Sequence, residues 1–269
     1  EEMHLNDSYI VQYGHWIAGI LEGDFGESIV TKRPVLDDIK SYLPATLELA
    51  LITAVLIIVF GILLGVVSTK YSGKWLDGII RTLSYFGICA PAFLWAVFAM
   101  LLFAYMLPIL PISGRLSAGI SPPAMVTGMY TIDFLLQGDV AGALDALKHL
   151  ILPAVVMSFA GISQAARITR SSMVENLDKP YAYAERAYGI PENKVLHKYL
   201  LKPSLNSTIS VMALDIAGIF GSAFLVEQIF GYPGLSNYGL TAMLNKDVFA
   251  VSAVVMVLGI IVIIFNLLA

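Results

Sequence analysis

Arg167 to Lys202 reads RITRSSMVENLDKPYAYAERAYGIPENKVLHKYLLK. Seven of the chain's sixteen Lys and Arg residues fall in this stretch, and no run within it is long and apolar enough to cross a bilayer. It lies between two strongly apolar segments, so the charge places it on the cytoplasmic side of a membrane. Asp178 is expected to cap a short helix whose first turn holds Pro180, where a missing N–H costs nothing. Gly189 is expected to end that helix, because glycine takes the left-handed cap conformation without strain. On it Tyr181, Ala184, Glu185 and Tyr188 share one face at i, i+3, i+4 and i+7 spacing. Pro191 and Glu192 should open a second helix carrying Lys198 and Lys202 in its last turn, at the negative end of the dipole. Spacing alone leaves two readings open: an amphipathic helix resting on the lipid interface, or one that docks into a soluble partner.

Working outward, 58% hydrophobic residues, 13% charged and a mean hydropathy of +0.78 in 269 residues define a polytopic membrane protein. Five apolar stretches, Leu49–Thr69, Thr82–Gly114, Leu150–Ala166, Pro203–Val226 and Val248–Ala269, are each near or above the length a spanning helix needs. Leu150–Ala166 reaches that length if His149 and Arg167 snorkel. Thr82–Gly114 is too long for one span, and Pro108–Gly114 reads as the start of an external loop. The connections carry three, three, two, seven and one Lys or Arg in chain order. That pattern puts the N-terminal segment outside and the first loop inside. Glu1 to Lys40 contains no signal peptide to carry it across, so a further transmembrane helix is expected upstream.

The composition excludes several classes. The single cysteine, Cys89, excludes an internal disulfide and reads as a small packing residue. There is no GxxxxGK[ST], HExxH, CxxC or GxSxG pattern, so no recognised device for hydrolysing ATP or a peptide bond is present. No metal or cofactor set is expected, and the four scattered histidines do not make an intramembrane enzyme. The basic residues are accounted for by topology, and nucleic acid is not expected as a partner.

Several ordered blocks resemble one family. RITRSSM (Arg167–Met173), AERAYG (Ala184–Gly189) and VEQIFGYPGLSNYG (Val226–Gly239) look like the permease subunits of binding-protein-dependent ABC importers. GDFGESIVTKRPVLDDIKSYLPATLEL (Gly23–Leu49), LPISGR (Leu110–Arg115) and HLILPA (His149–Ala154) narrow the likeness to the dipeptide, oligopeptide and nickel group. The resemblance implies an all-α type I ABC importer transmembrane domain in a prokaryotic inner membrane, with five spans here and a sixth, N-terminal one outside this sequence. It implies an extracytoplasmic segment over 1–46, a permease domain over 47–269 and a cytoplasmic coupling loop over 167–202. The implied partners are a second homologous permease, two ABC ATPases that bind ATP and Mg, a solute-binding protein and membrane lipid. Carried over, Pro180 to Gly189 becomes the helix that couples to an ATPase, with Pro180, Tyr181, Ala184, Glu185, Ala187, Tyr188 and Gly189 as its contact set. The family's namesake glutamate falls at Tyr183, and Glu185 stands where alanine is usual.

Within the spans an ionised carboxylate is costly, which singles out Asp215. It reads either as a group lining the translocation path, with Ser222 two turns on, or as a buried acid paired with the partner permease. Gly218, Gly221, Ser222 and Ala223, like Gly61 and Gly65, read as small residues permitting close helix contact. Pro91, Pro153 and Pro203 are expected to kink or begin their helices, and Phe93, Trp95 and Phe98 to face lipid or pack. The acidic cluster Glu22, Asp24, Glu27, Asp37 and Asp38 and the re-entrant or surface turn Phe230–Tyr238 each read either as a contact for an external binding protein or as a solvated segment and a structural turn, the solvated reading being preferred for the acidic cluster. An ion-coupled secondary transporter or channel is the alternative from another class, resting on Asp215 alone.

Overall fold

Proline, glycine and terminal charge decide where the helices of this chain start and stop. The computed structural model describes residues 9–268. Helix α1 (Tyr9–Glu22) is followed by a short turn closed by a single antiparallel bridge between Glu27 and Pro34. Helix α2 (Val35–Lys70) begins directly after Pro34, with Asp37 and Asp38 in its first turn and Lys70 in its last, all favourable to the helix dipole. Its 36 residues make about 54 Å, well beyond the hydrocarbon thickness. The expected span is therefore the inner part of a longer rod.

The next apolar stretch is not one straight helix. Helix α3 (Trp75–Cys89) and helix α4 (Ala92–Met100) meet at a 105° bend. Ala90 takes an extended conformation, as the residue before a proline is pushed to do, and Pro91 starts the new helix. A π-helical turn, Leu101–Met106, ends the element, and the external loop begins near the expected Pro108. Cys89 is exposed on this chain at the bend, a correction to its reading as a packing residue.

Helix α5 (Tyr130–Leu136) lies in the long connection between the π-helical turn and α6. Helix α6 (Val140–Leu177) is capped by Asp139, whose carboxylate accepts from the Gly142 N–H at 2.9 Å. His149 does not snorkel: it is buried, its Nδ1 2.9 Å from the Asp145 carbonyl. At 38 residues α6 is long enough without it. Helix α7 (Pro180–Ala187) is followed by α8 (Glu192–Lys194), a π-helical turn over Val195–Leu200 and helix α9 (Leu201–Ile229). These last three form one continuous rod from Glu192 to Ile229. Lys198 and Lys202 therefore lie inside a helix and not in its last turn, because nothing after Lys202 breaks the helix. Helices α10 (Leu235–Leu244) and α11 (Val248–Leu268) complete the chain. Among the described residues four helices are long and apolar enough to cross a membrane, five if the bent pair α3 and α4 is counted as one broken span.

The core forms where α2, α6 and α9 cross. A Cβ built on Gly61 would lie 2.5 Å from that of Ala165, and one on Gly65 2.5 Å from that of Thr169, so glycine is what lets α2 and α6 touch backbone to side chain. Gly218 and Gly221 do not behave this way: a Cβ on either meets nothing within 4 Å. Their face of α9 is left open by this chain, whereas Ala223 is buried. Trp95 stacks on Phe159 with ring centroids 5.0 Å apart, while Phe93 and Phe98 are exposed on the apolar exterior.

Candidate functional site

The loop from Asp178 to Pro191 is anchored at both ends by backbone rules. Pro180 pushes Lys179 into an extended conformation, and Lys179 occupies the N-cap position of α7. Asp178 is not that cap. It terminates α6, and its carboxylate meets only the Tyr183 hydroxyl, at 3.4 Å. At the other end Gly189 has φ +75°, the Gly189 N–H donates to the Arg186 carbonyl, and the Ile190 N–H donates to the Glu185 carbonyl. This is the double bond of a Schellman cap, which reverses the chain sharply. Arg186 then clasps Glu192 across the turn through two bonds of 2.8 and 3.0 Å.

Ala182 decides how α7 sits. Its side chain is fully buried against a cluster of Val66, Met173, Val195, Leu196 and Leu200, drawn from α2, α6 and the start of the α8–α9 rod. Tyr181 donates its hydroxyl to Asn176, and Asn176 in turn donates to Ser204. The short helix is thus fixed to the bases of three long ones. Of the expected contact set, Pro180, Tyr181, Ala184, Ala187, Tyr188 and Gly189 are exposed, and Glu185 is half-buried at the edge. Tyr188 is 83% exposed, which leaves a face of small and aromatic residues that nothing among the described residues covers. Tyr183 is exposed as well.

Asp215 and Ser222 lie two turns apart on the open side of α9, with Gly218 between them. Asp215 is half-buried and its Oδ2 has no hydrogen-bond partner, while Ser222 donates to the Ile219 carbonyl. Among the described residues no three His, Cys, Asp or Glu side chains gather to hold a metal.

The opposite end of the molecule holds a buried polar network that sequence reading missed. Glu48 accepts from Arg115 at 2.6 Å and from the Thr131 N–H and hydroxyl at 2.7 and 2.6 Å. The Arg115 guanidinium lies 3.5 Å from the Tyr130 ring centroid and also donates to the Gly128 carbonyl. Glu227 accepts from Thr46 and from the Asn237 N–H in the first turn of α10, and Thr46 accepts the Leu235 N–H. Together they cap α10 from two other helices. Asp38 is fully buried between Arg33, Thr31 and Tyr238, a correction to its reading as solvated, although Glu22, Asp24, Glu27 and Asp37 are exposed. Burial pushes the Asp247 carboxyl up, but the Ser28 hydroxyl and the N–H groups of Ala250, Val30 and Ile29 outweigh it and hold it below the usual range. Phe230, Tyr232, Leu235 and Tyr238 are buried, whereas Gly231 and Pro233 between them are exposed. A lone Glu48 in an otherwise apolar run was the available signal.

Residues 57–269 match the family described as binding-protein-dependent transport system inner membrane component. The chain is 35% identical over 267 residues to a probable D,D-dipeptide transport system permease protein of Escherichia coli K12, covering 99% of this chain and 78% of that protein. It is 32% identical to a dipeptide transport system permease protein of Alkalihalophilus pseudofirmus, over 99% of this chain and 80% of that one. A di/tripeptide transport system permease protein of Pseudomonas aeruginosa is 33% identical over 95% of this chain and 76% of its own length.

Proposed function

This chain belongs to the inner membrane components of binding-protein-dependent transport systems, and from that premise we propose that it forms, with a second permease, the path by which short peptides enter the cell. It is a permease subunit of an ABC importer, located in the inner membrane. Peptide cargo is supported by the three relatives, all described as permeases for dipeptides or di/tripeptides. Two ATPase subunits binding ATP and Mg would supply the energy and a solute-binding protein the cargo. The half-buried Asp215 on the open side of α9 suits a path that receives a peptide amino terminus, with Ser222 farther along the same face.

The observation that carries the coupling role is the exposed face of α7 on a helix whose inner side is locked by Ala182. A helix fixed to three others can transmit a push, which a helix floating on lipid cannot. Pro180, Tyr181, Ala184, Ala187, Tyr188 and Gly189 form the contact, with Glu185 at its rim. Ala184→Asp tests it in the reconstituted transporter, because the carboxylate projects outward and leaves the Ala182 anchor intact. The expected result is normal insertion, reduced retention of the ATPase and loss of ATP hydrolysis stimulated by loaded binding protein. Unchanged retention and unchanged stimulation would remove the role from this face.

A further inference from the structure

On the cytoplasmic side a cavity of about 350 Å³ opens between α2, α3 and α6. Three arginines line it, Arg81, Arg167 and Arg170, together with Ser84, Ser171 and Tyr85. Arg170 is held by Asp77 through two bonds of 2.6 and 2.7 Å, and Ser68 and the Gly73 N–H complete that carboxylate's partners. Arg170 is therefore positioned and neutralised. Arg81 makes no ion pair with any described residue, and Arg167 bonds only the neutral Gln164 side chain at 2.7 Å. Two positive charges thus face a cavity whose remaining polar groups are largely hydroxyls. Planar guanidinium groups and hydroxyls suit the oxygens of a phosphate group.

The surroundings select the source of that phosphate. Tyr85 and Ile88 follow Arg81 by one and two turns on the same face of α3, are 51% and 39% exposed, and continue toward the membrane interior. Phe159, 38% exposed, lies on the α6 side of the same ascent. A soluble phosphate needs no such wall, whereas a lipid places its acyl chains there. We propose that this cavity binds the phosphate headgroup of an anionic phospholipid from the cytoplasmic leaflet, with its acyl chains along Tyr85 and Ile88.

The test uses the assembled transporter in phosphatidylcholine nanodiscs containing graded amounts of a photoreactive phosphatidylglycerol. Saturable crosslinking to α3 and α6 peptides is expected, about fivefold weaker for each of Arg81→Gln and Arg167→Gln. Arg81→Lys should retain most of the binding, and co-purification of the partner subunits would show that each variant is assembled. Lys198→Gln removes an equal charge elsewhere on the same side and should change nothing. Competition by millimolar inorganic phosphate would assign the cavity to a soluble anion and overturn the proposal. Crosslinking that never saturates, or that falls equally in the Lys198 variant, would reduce it to general attraction of a basic face for anionic lipid and would equally overturn it.

Discussion

At the residue scale the chain separates two kinds of buried charge. The Glu48 carboxylate, bonded to Arg115 and Thr131, and the Asp77 carboxylate, bonded to Arg170 and Ser68, are satisfied by short bonds and additional donors, so each acts as a joint between distant segments. Removing one member of such a pair would strand the other, at about 3–5 kcal/mol. Asp215 is different, because its Oδ2 is buried and has no hydrogen-bond partner among the described residues. A carboxylate held without a counter-charge on an open helix face attracts cationic cargo and repels anionic cargo. Asp215→Asn keeps the shape and removes the charge. Uptake of peptides carrying a free, protonated amino terminus should fall roughly tenfold, with uptake of N-acetylated peptides unchanged. Equal uptake of both by variant and parent, measured in proteoliposomes, would make Asp215 idle in transport.

At the element scale, glycine has opposite meanings on two helices. On α2, Gly61 and Gly65 are seats for Ala165 and Thr169 of α6, and the neighbouring atoms are short side chains that cannot swing aside. On α9, Gly218 and Gly221 face open space. Gly61→Val should therefore force α2 from α6 and destabilise the fold by about 1–3 kcal/mol. Gly218→Ala should not lower stability at all. Thermal unfolding of the purified chain in detergent checks both, and equal melting temperatures for Gly61→Val and the parent would refute the packing account. The features legible in sequence were those set by local backbone rules. Pro180 at the start of α7 and Gly189 at its end were readable because each acts through its own φ and its own missing atoms. Pro91, expected to kink or begin its helix, likewise starts α4 at the 105° bend, whereas the capping role assigned to Asp178 failed because Pro180 sets the N-cap one residue later.

At the scale of the whole molecule, what could not be read was pairing across the chain. Glu48 and Arg115 are 67 residues apart and Asp77 and Arg170 are 93 apart, so nothing in their local sequence announces a partner. The distribution of Lys and Arg was readable, because it reflects insertion and not packing, and the helices alternate in the sense it requires. Helix α2 runs toward Lys70, α6 runs back toward Arg167 and Arg170, and the α8–α9 rod starts beside Lys194 and Lys198. The α5–α6 turn and α7 lie at opposite ends of the 38-residue helix α6. Gln137 in the first and Tyr188 in the second are both exposed and make no contact that a cysteine would break in the core. Cys89 is itself exposed, so the background must carry Cys89→Ser. In that background Gln137→Cys should react with a membrane-impermeant maleimide once the reagent can pass any outer barrier, with the inner membrane still sealed. Tyr188→Cys should react only after that membrane is opened, and less so when the ATPase subunits are bound. Labelling of Tyr188→Cys in sealed cells would invert the topology and separate α7 from any cytoplasmic partner. Labelling after opening that is indifferent to the ATPases would keep the topology and remove α7 from the coupling contact.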